Sequence, residues 1–356
     1  MTRPTPRKSI TLMTGYHSPQ IDVDVRLNTN ESPEPPPGGF AEAVAEQVLA
    51  IDWNRYPDRS ATKLRARIGA NYGLPGEQVF VANGSNEVLQ TLLLTFAGPG
   101  RTSAVFEPTY ALHSHLSRVT GTTLVEGERA NDFSIDLAEV ERVMIEHRPD
   151  VLFLCSPNNP TGIVDAPDTI RAVLDMVRAT GGLLCVDEAY GQFSDFSAVD
   201  LLGDDTPLVV SRTYSKTWAM AAVRLGYLLA PDWIVTELEK VVLPYHLDAM
   251  TQVAGTVALD HQDAMTARVA RLVEERGRLM ARLVDLPLDV WPSGANFILI
   301  RPTCRDGNAV WQGLVDRSVL VRNCATWPRL DGCLRITIGT PEEDDRLLDA
   351  LTEVLT

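Results

Sequence analysis

Lys216 is the one amine in SRTYSKTWAMAAVRLGY (211–227), with hydroxyls beside it and Arg224 eight residues on. A lysine is ordinarily a solvated surface residue. Among hydroxyls and cations, however, an amine can lose its proton and form a Schiff base with an aldehyde. Two further polar clusters stand upstream. Asn159, in SPNNPTG (156–162), precedes Asp187 by 28 residues, and Asp187, in DEAY (187–190), precedes Lys216 by 29. An aspartate beneath a pyridine ring keeps the ring nitrogen protonated and makes the ring an electron sink. Tyr190 and Asn159 add a phenol and an amide, which can hydrogen-bond a ring hydroxyl. Gly84, Ser85 and Asn86 follow the apolar run VFVA and open a helix-like run, so their N–H groups and the helix dipole favour an anion. Ser215 and Arg224 offer further donors. Each residue alone has a plainer reading: a turn for Gly84 and NPTG, an N-cap for Asp187, packing for Tyr190. Their order and spacing together describe a site for pyridoxal phosphate.

The elements around these clusters supply the geometry. VFVA (79–82), VLFLC (151–155), LLCV (183–186) and LVVS (208–211) read as buried strands, and helical periodicity alternates with them. This rhythm predicts an α/β fold with a mostly parallel central sheet flanked by helices. Ligands of such sheets sit at the carboxyl ends of the strands. Gaps of 28 and 29 residues suit one crossover each, and right-handed crossovers bring the three clusters to one edge. Further on, Met265, Val269, Leu272, Val273, Met280 and Leu283 mark one helical stripe. FILI (297–300), VLV (319–321) and CLRITIG (333–339) follow as strands of a smaller α+β unit. In CLRITIG, Leu334, Ile336 and Ile338 point to one face and Arg335 and Thr337 to the other. Arg335 then faces the cleft if the apolar face is packed, and Arg322 lies just past an apolar strand. The predicted division is an N-terminal arm at 1–40, extended and ending in SPEPPPGG, a large domain at 41–250 and a small C-terminal domain at 251–356.

Composition narrows the function classes. The 356 residues are 45% hydrophobic, enough for a sizeable core, and the net charge of −15 argues against general nucleic-acid binding. The five cysteines, Cys155, Cys185, Cys304, Cys324 and Cys333, include no CxxC pair. They read as reduced thiols of a cytoplasmic protein, with no metal site. No window approaches the ~18 apolar residues of a membrane span, and no GxGxxG follows the early strands, which argues against a nicotinamide dehydrogenase.

Taken in order, LNTNESP (27–33), RYPD (55–58), SPNNPTG, VDEAY, SKTWAMAAVRLGY, PYHLDAMTQ (244–252), ANFILIR (295–301), VRN (321–323) and CLRITIGTPEEDDRLLDAL (333–351) carry a resemblance over nearly the whole chain. The chain resembles the fold-type-I pyridoxal-phosphate aminotransferases, and within them the histidinol-phosphate aminotransferases. The resemblance implies that Lys216 is the Schiff-base lysine and proton shuttle, and that Asp187 partners the pyridine nitrogen. It implies that Tyr190 and Asn159 partner the ring hydroxyl and that Tyr110 stacks on the ring. Ser85, Asn86, Thr213, Ser215 and Arg224 become phosphate contacts, with Gly84 in the same cradle. Arg335, Arg322 and Asn30 become substrate contacts. Tyr56 becomes a residue that reaches the neighbouring subunit's site, so a homodimer with shared active sites is implied. The reaction implied is transamination of L-histidinol phosphate with 2-oxoglutarate. Aromatic amino-acid transamination and decarboxylation of threonine phosphate share nearly every motif and stay open. Effector-sensing halves of transcription regulators use such folds too, but they need an attached DNA-binding module, and the roughly 40 residues before the core, with a Pro-rich stretch among them, argue against that reading. Two positions depart from the family pattern: Asn86 where Asp is commoner, and Ser32 where Asn is commoner.

Overall fold

The computed structural model describes residues 3–11, 13, 15 and 20–356. Its first sheet has seven strands: β2 (Val79–Ala82), β3 (Thr102–Glu107), β4 (Thr123–Glu128), β5 (Val151–Cys155), β6 (Leu183–Asp187), β7 (Leu208–Thr213) and β8 (Gly226–Leu229). Their order is β2-β8-β7-β6-β5-β3-β4. The strands β4, β3, β5, β6 and β7 run parallel, and β8 runs antiparallel to both β7 and β2. Helices cover both faces, which is why VLFLC, LLCVD and LVVSRT are buried at every residue and open on the apolar runs VLFLC, LLCV and LVV. The mostly parallel α/β sheet expected from the sequence is present.

The second sheet has five strands in the order β1-β11-β12-β10-β9. They are β1 (Val25–Leu27), β9 (Leu288–Val290), β10 (Phe297–Pro302), β11 (Val319–Asn323) and β12 (Leu334–Thr337). β1 pairs parallel with β11, and the other pairs are antiparallel. Alternation along β12 is as read: Leu334, Ile336 and Ile338 are fully buried against the helices Gln262–Leu283 and Pro341–Leu355. The latter helix starts on a capping box between Thr340 and Glu343 and has Pro341 in its first turn.

Five strands escape the sequence reading. β4 is an edge strand with a single neighbour and a half-exposed pattern, so it shows no clear alternation. β1 and β9 have three residues each. β3 and β8 are buried, but a serine or an opening glycine dilutes their apolar runs. In the N-terminal segment, read as extended, Lys8–Thr11 forms one helical turn.

Candidate active site

The strands β5, β6 and β7 are neighbours, so their carboxyl ends set SPNNPTG, DEAY and TYSK side by side. Cys155 of β5 is the register partner of Asp187, and Asp187 is the partner of Ser211. The β7–β8 connection folds back with Tyr214 N donating to Leu225 O at 3.0 Å. That return brings Arg224 to Ser215, with Nη1 3.4 Å from Oγ. The second sheet closes the site from above. The segment after β1 brings Asn28 to Glu31, and β12 brings Arg335. Together these parts enclose a cavity of about 280 Å³.

Lys216 lies on the cavity wall with Nζ donating to Thr29 O at 3.0 Å and lying 5.9 Å from the centre of the Tyr190 ring. Burial, then the Arg335 and Arg224 guanidiniums, lower its pKa to about 7 against an opposing pull from Glu31. A lysine in that state is a nucleophile near neutrality. Tyr190 is the reverse case. Burial pushes its phenol up to about 12, although Arg335 and the hydrogen bond from Asn30 oppose the shift. Asn30 Nδ2 donates to Tyr190 Oη at 2.8 Å, and its own carboxamide oxygen accepts from Thr337 Oγ1 at 3.0 Å. Asn30 holds this place with φ of 56°, a conformation asparagine tolerates better than most residues.

Arg335 is buried and forks across the cavity wall. Nη1 donates to Asn159 Oδ1 and Nη2 to Asn28 O at 2.9 Å, while Nε has no partner among the described residues. A buried donor without a partner is costly, and the guanidinium itself lines the cavity, where its charge favours an anionic ligand. Asp187 sits at the cavity floor with 1% exposure. Its Oδ1 accepts from Ala189 N at 3.2 Å, and its Oδ2 lies 3.0 Å from His113 Nε2.

The anion cradle is built at the N-terminus of the helix Ser85–Phe96. Gly84 precedes it with φ of 83°, and a Cβ there would lie 2.6 Å from Arg224 Nη2. A Cβ on Gly226 would strike the Ser85 N atom. Two glycines therefore let the helix end, β8 and Arg224 approach one another, leaving N–H groups, hydroxyls and a guanidinium around one small space. That donor set fits a phosphate, and the amine, carboxyl, phenol and amide beside it fit the pyridoxal ring.

Most of the residues expected from the sequence meet here. Asn30, Ser85, Asn86, Tyr110, Asn159 and Asp187 line the cavity, as do Tyr190, Thr213, Ser215, Lys216, Arg224 and Arg335. Tyr110 Oη donates to Asn86 Oδ1 at 3.2 Å, so the asparagine that departs from the family pattern is bonded to a tyrosine of the cavity wall. Arg322 and Tyr56 stand elsewhere. Arg322 lines an adjoining groove, and Tyr56 is 78% exposed, stacked on Tyr245 at 4.4 Å. The sequence reading missed His113, which lies behind Asp187 and stacks on Phe153 at 4.7 Å. Its signal was the three-residue spacing from Tyr110 into the helix Ala111–Thr120, which puts both rings on one side. It also missed Thr29 and Glu31, whose places depend on the short β1.

The comparisons with known proteins agree with this geometry. The model of the family described as aminotransferase class I and II matches residues 22–351. A histidinol-phosphate aminotransferase from Frankia casuarinae is 44% identical over 98% of this chain and 90% of its own length. One from Streptomyces avermitilis is 45% identical over 95% of this chain and 93% of its own. Among solved structures, the histidinol-phosphate aminotransferase from Sinorhizobium meliloti in complex with pyridoxal-5'-phosphate superposes with a TM-score of 0.88 at 22% identity, covering 98% of this chain and 96% of that one. With the family model spanning almost its whole length and such relatives beside it, the chain belongs to the class I and II aminotransferases.

Proposed function

We propose that the chain is a pyridoxal-phosphate-dependent aminotransferase of histidine biosynthesis. It moves the amino group of L-histidinol phosphate to 2-oxoglutarate and yields imidazole-acetol phosphate and L-glutamate. The observation that carries the reading is the 44% and 45% identity to relatives of that name over at least 95% of this chain. The cavity's residues agree with it. Bound pyridoxal phosphate supplies an aldehyde that condenses with amines and a ring that accepts electrons from the substrate's α-carbon. With the cofactor bound, Lys216 would anchor it and would serve as the base that takes the proton from the substrate's Cα and returns it. Its lowered pKa keeps it free to accept that proton near neutral pH. Asp187 would hold the proton on the ring nitrogen, and Asn159 and Tyr190 would hold the ring hydroxyl. Ser85, Ser215, Arg224 and the helix N-terminus hold the phosphate, assisted by Asn86 and Thr213, and Tyr110 backs the ring. Arg335 takes the substrate's anionic group. A guanidinium forks onto phosphate and carboxylate alike, so one residue serves the phosphate of the donor and the carboxylate of the acceptor. Arg322 is a second contact to the donor's phosphate. The working unit is a homodimer in the cytoplasm, with Tyr56 reaching the partner's site.

The test is a comparison of L-histidinol phosphate, L-phenylalanine and L-threonine phosphate as amino donors by kcat/KM. The expected preference for histidinol phosphate is ~100-fold or more, about 2.7 kcal/mol of transition-state discrimination. A preference for phenylalanine moves the protein to aromatic transamination. Release of carbon dioxide from threonine phosphate without an oxo acid makes it a decarboxylase.

A further inference from the structure

Two arginines of the second sheet, Arg322 and Arg335, are held in different ways. Arg322 of β11 and Arg335 of β12 are register partners in an antiparallel pair, so their side chains leave the sheet on one face. Each guanidinium lies over an aromatic ring. Arg335 is 5.2 Å from the centre of Phe297, and Arg322 is 5.1 Å from the centre of Trp327. Phe297 is a fully buried residue of β10, so the sheet itself fixes Arg335. Trp327 belongs to no strand. It sits in the turn between β11 and β12, whose ends meet where Cys324 N donates to Cys333 O at 2.9 Å. Its indole Nε1 crosses to the loop that follows β3 and donates to Thr109 O at 3.1 Å. Arg329 of the same turn donates to Arg129 O and, at 3.1 Å, to Ala130 O. The turn is thus bonded to the loops that follow β3 and β4, beside Tyr110. The groove of about 510 Å³ lined by Arg322 and Trp327 adjoins the cavity, since the consecutive residues Tyr110 and Ala111 line one each.

We propose that Trp327 is a positioning residue that sets the preference for a phosphate-bearing amino donor by holding the Arg322 guanidinium beside the Tyr110 wall of the cavity. The proposal deepens the reading of the donor as histidinol phosphate and rests on it. A carboxylate carries one charge, which the Arg335 fork meets alone. A phosphate carries more charge and a third oxygen, and a second guanidinium adds binding for it that a carboxylate does not use. An arginine waving in solvent would lose its rotamer freedom on binding. Stacked on a ring that is pinned at Thr109, Arg322 has lost that freedom before the ligand arrives.

Steady-state kinetics on the holoenzyme test this with Trp327→Leu, Trp327→Phe, Arg322→Ala and the double variant Trp327→Leu/Arg322→Ala. Wild-type preference between histidinol phosphate and phenylalanine is measured first, and its absence would sink the donor assignment without touching the variants' comparison. In Trp327→Leu, KM for histidinol phosphate is expected to rise about tenfold with kcat within about threefold, and kcat/KM for phenylalanine to stay within about threefold. Trp327→Phe keeps a ring under Arg322 and is expected to retain most of the preference. Adding Trp327→Leu to Arg322→Ala is expected to change KM by less than about twofold, because a residue that acts through Arg322 has nothing left to position. Equal losses for both donors, or additive losses in the double variant, would overturn the proposal. If Trp327→Leu does not fold, the same cycle is run with Trp327→Met, which keeps side-chain bulk and removes the ring. A loss of preference that persists undiminished in the Arg322→Ala background then overturns it.

Discussion

Lys216 shows how a residue's chemistry is set by what surrounds it. The same amine in water titrates near 10.5; here burial and two guanidiniums bring it to about 7. The condensing form is the neutral amine, so capture of pyridoxal phosphate by the apo-protein is expected to speed up as pH rises and to level off above about 7. Stopped-flow absorbance over a pH series reads this, and a rate still climbing well into the alkaline range would contradict it. Arg335 contributes part of the shift by like-charge repulsion, with burial the larger cause. Arg335→Gln is therefore expected to move the levelling-off point upward, yet not all the way to the value of a free lysine. Lys216→Ala is expected to purify without the absorbance band of bound cofactor, because no other lysine lines the cavity among the described residues.

At the scale of elements, the anion cradle depends on closeness rather than on any one side chain. Gly226 opens β8, and its missing side chain lets the strand pass against Ser85 at the helix N-terminus. Gly226→Ala places a methyl group against the Ser85 and Gly84 backbone, which cannot swing aside as a flexible side chain would. The expected result is a loss of cofactor affinity of at least about tenfold, read by equilibrium titration, with the fold retained by far-UV circular dichroism. Unchanged affinity would show that the helix end does not carry the phosphate. This closeness is also where sequence reading reaches its limit. Lys216, Asp187 and Asn159 were legible because each ends a long apolar run, and the crossover rule stacks such runs edge to edge. Gly226 was not, because nothing in GYLL reports that an antiparallel strand inserts between β2 and β7. His113 was marked only by its three-residue spacing from Tyr110, and nothing in that spacing reports the carboxyl group it meets 74 residues later. Arg322 and Tyr56 were legible only through the family resemblance, and neither lines the cavity of a single chain.

For the whole molecule, Tyr56 asks what covers it. Trp53, Tyr56 and Leu243 are 68%, 78% and 74% exposed, and Tyr56 stacks on Tyr245 so that two loops meet in one apolar patch. Scattered apolar residues on a surface need no explanation, but stacked aromatics beside other large exposed side chains mark an interaction site. A second copy of this chain is the occupant that agrees with Tyr56 reaching a neighbouring site. Sedimentation equilibrium is expected to give about twice the chain mass of 39.1 kDa. Leu243→Arg is a clean probe because a charge at so exposed a position costs a lone chain little, ~0.5 kcal/mol or less. In a dimer interface the same charge would be desolvated without a partner. The variant is therefore expected to sediment as a single chain at concentrations where the wild type is paired, and to lose transaminase activity with its partner. A wild type that is fully active as a single chain would confine Tyr56 to its own surface and leave the patch without a catalytic role.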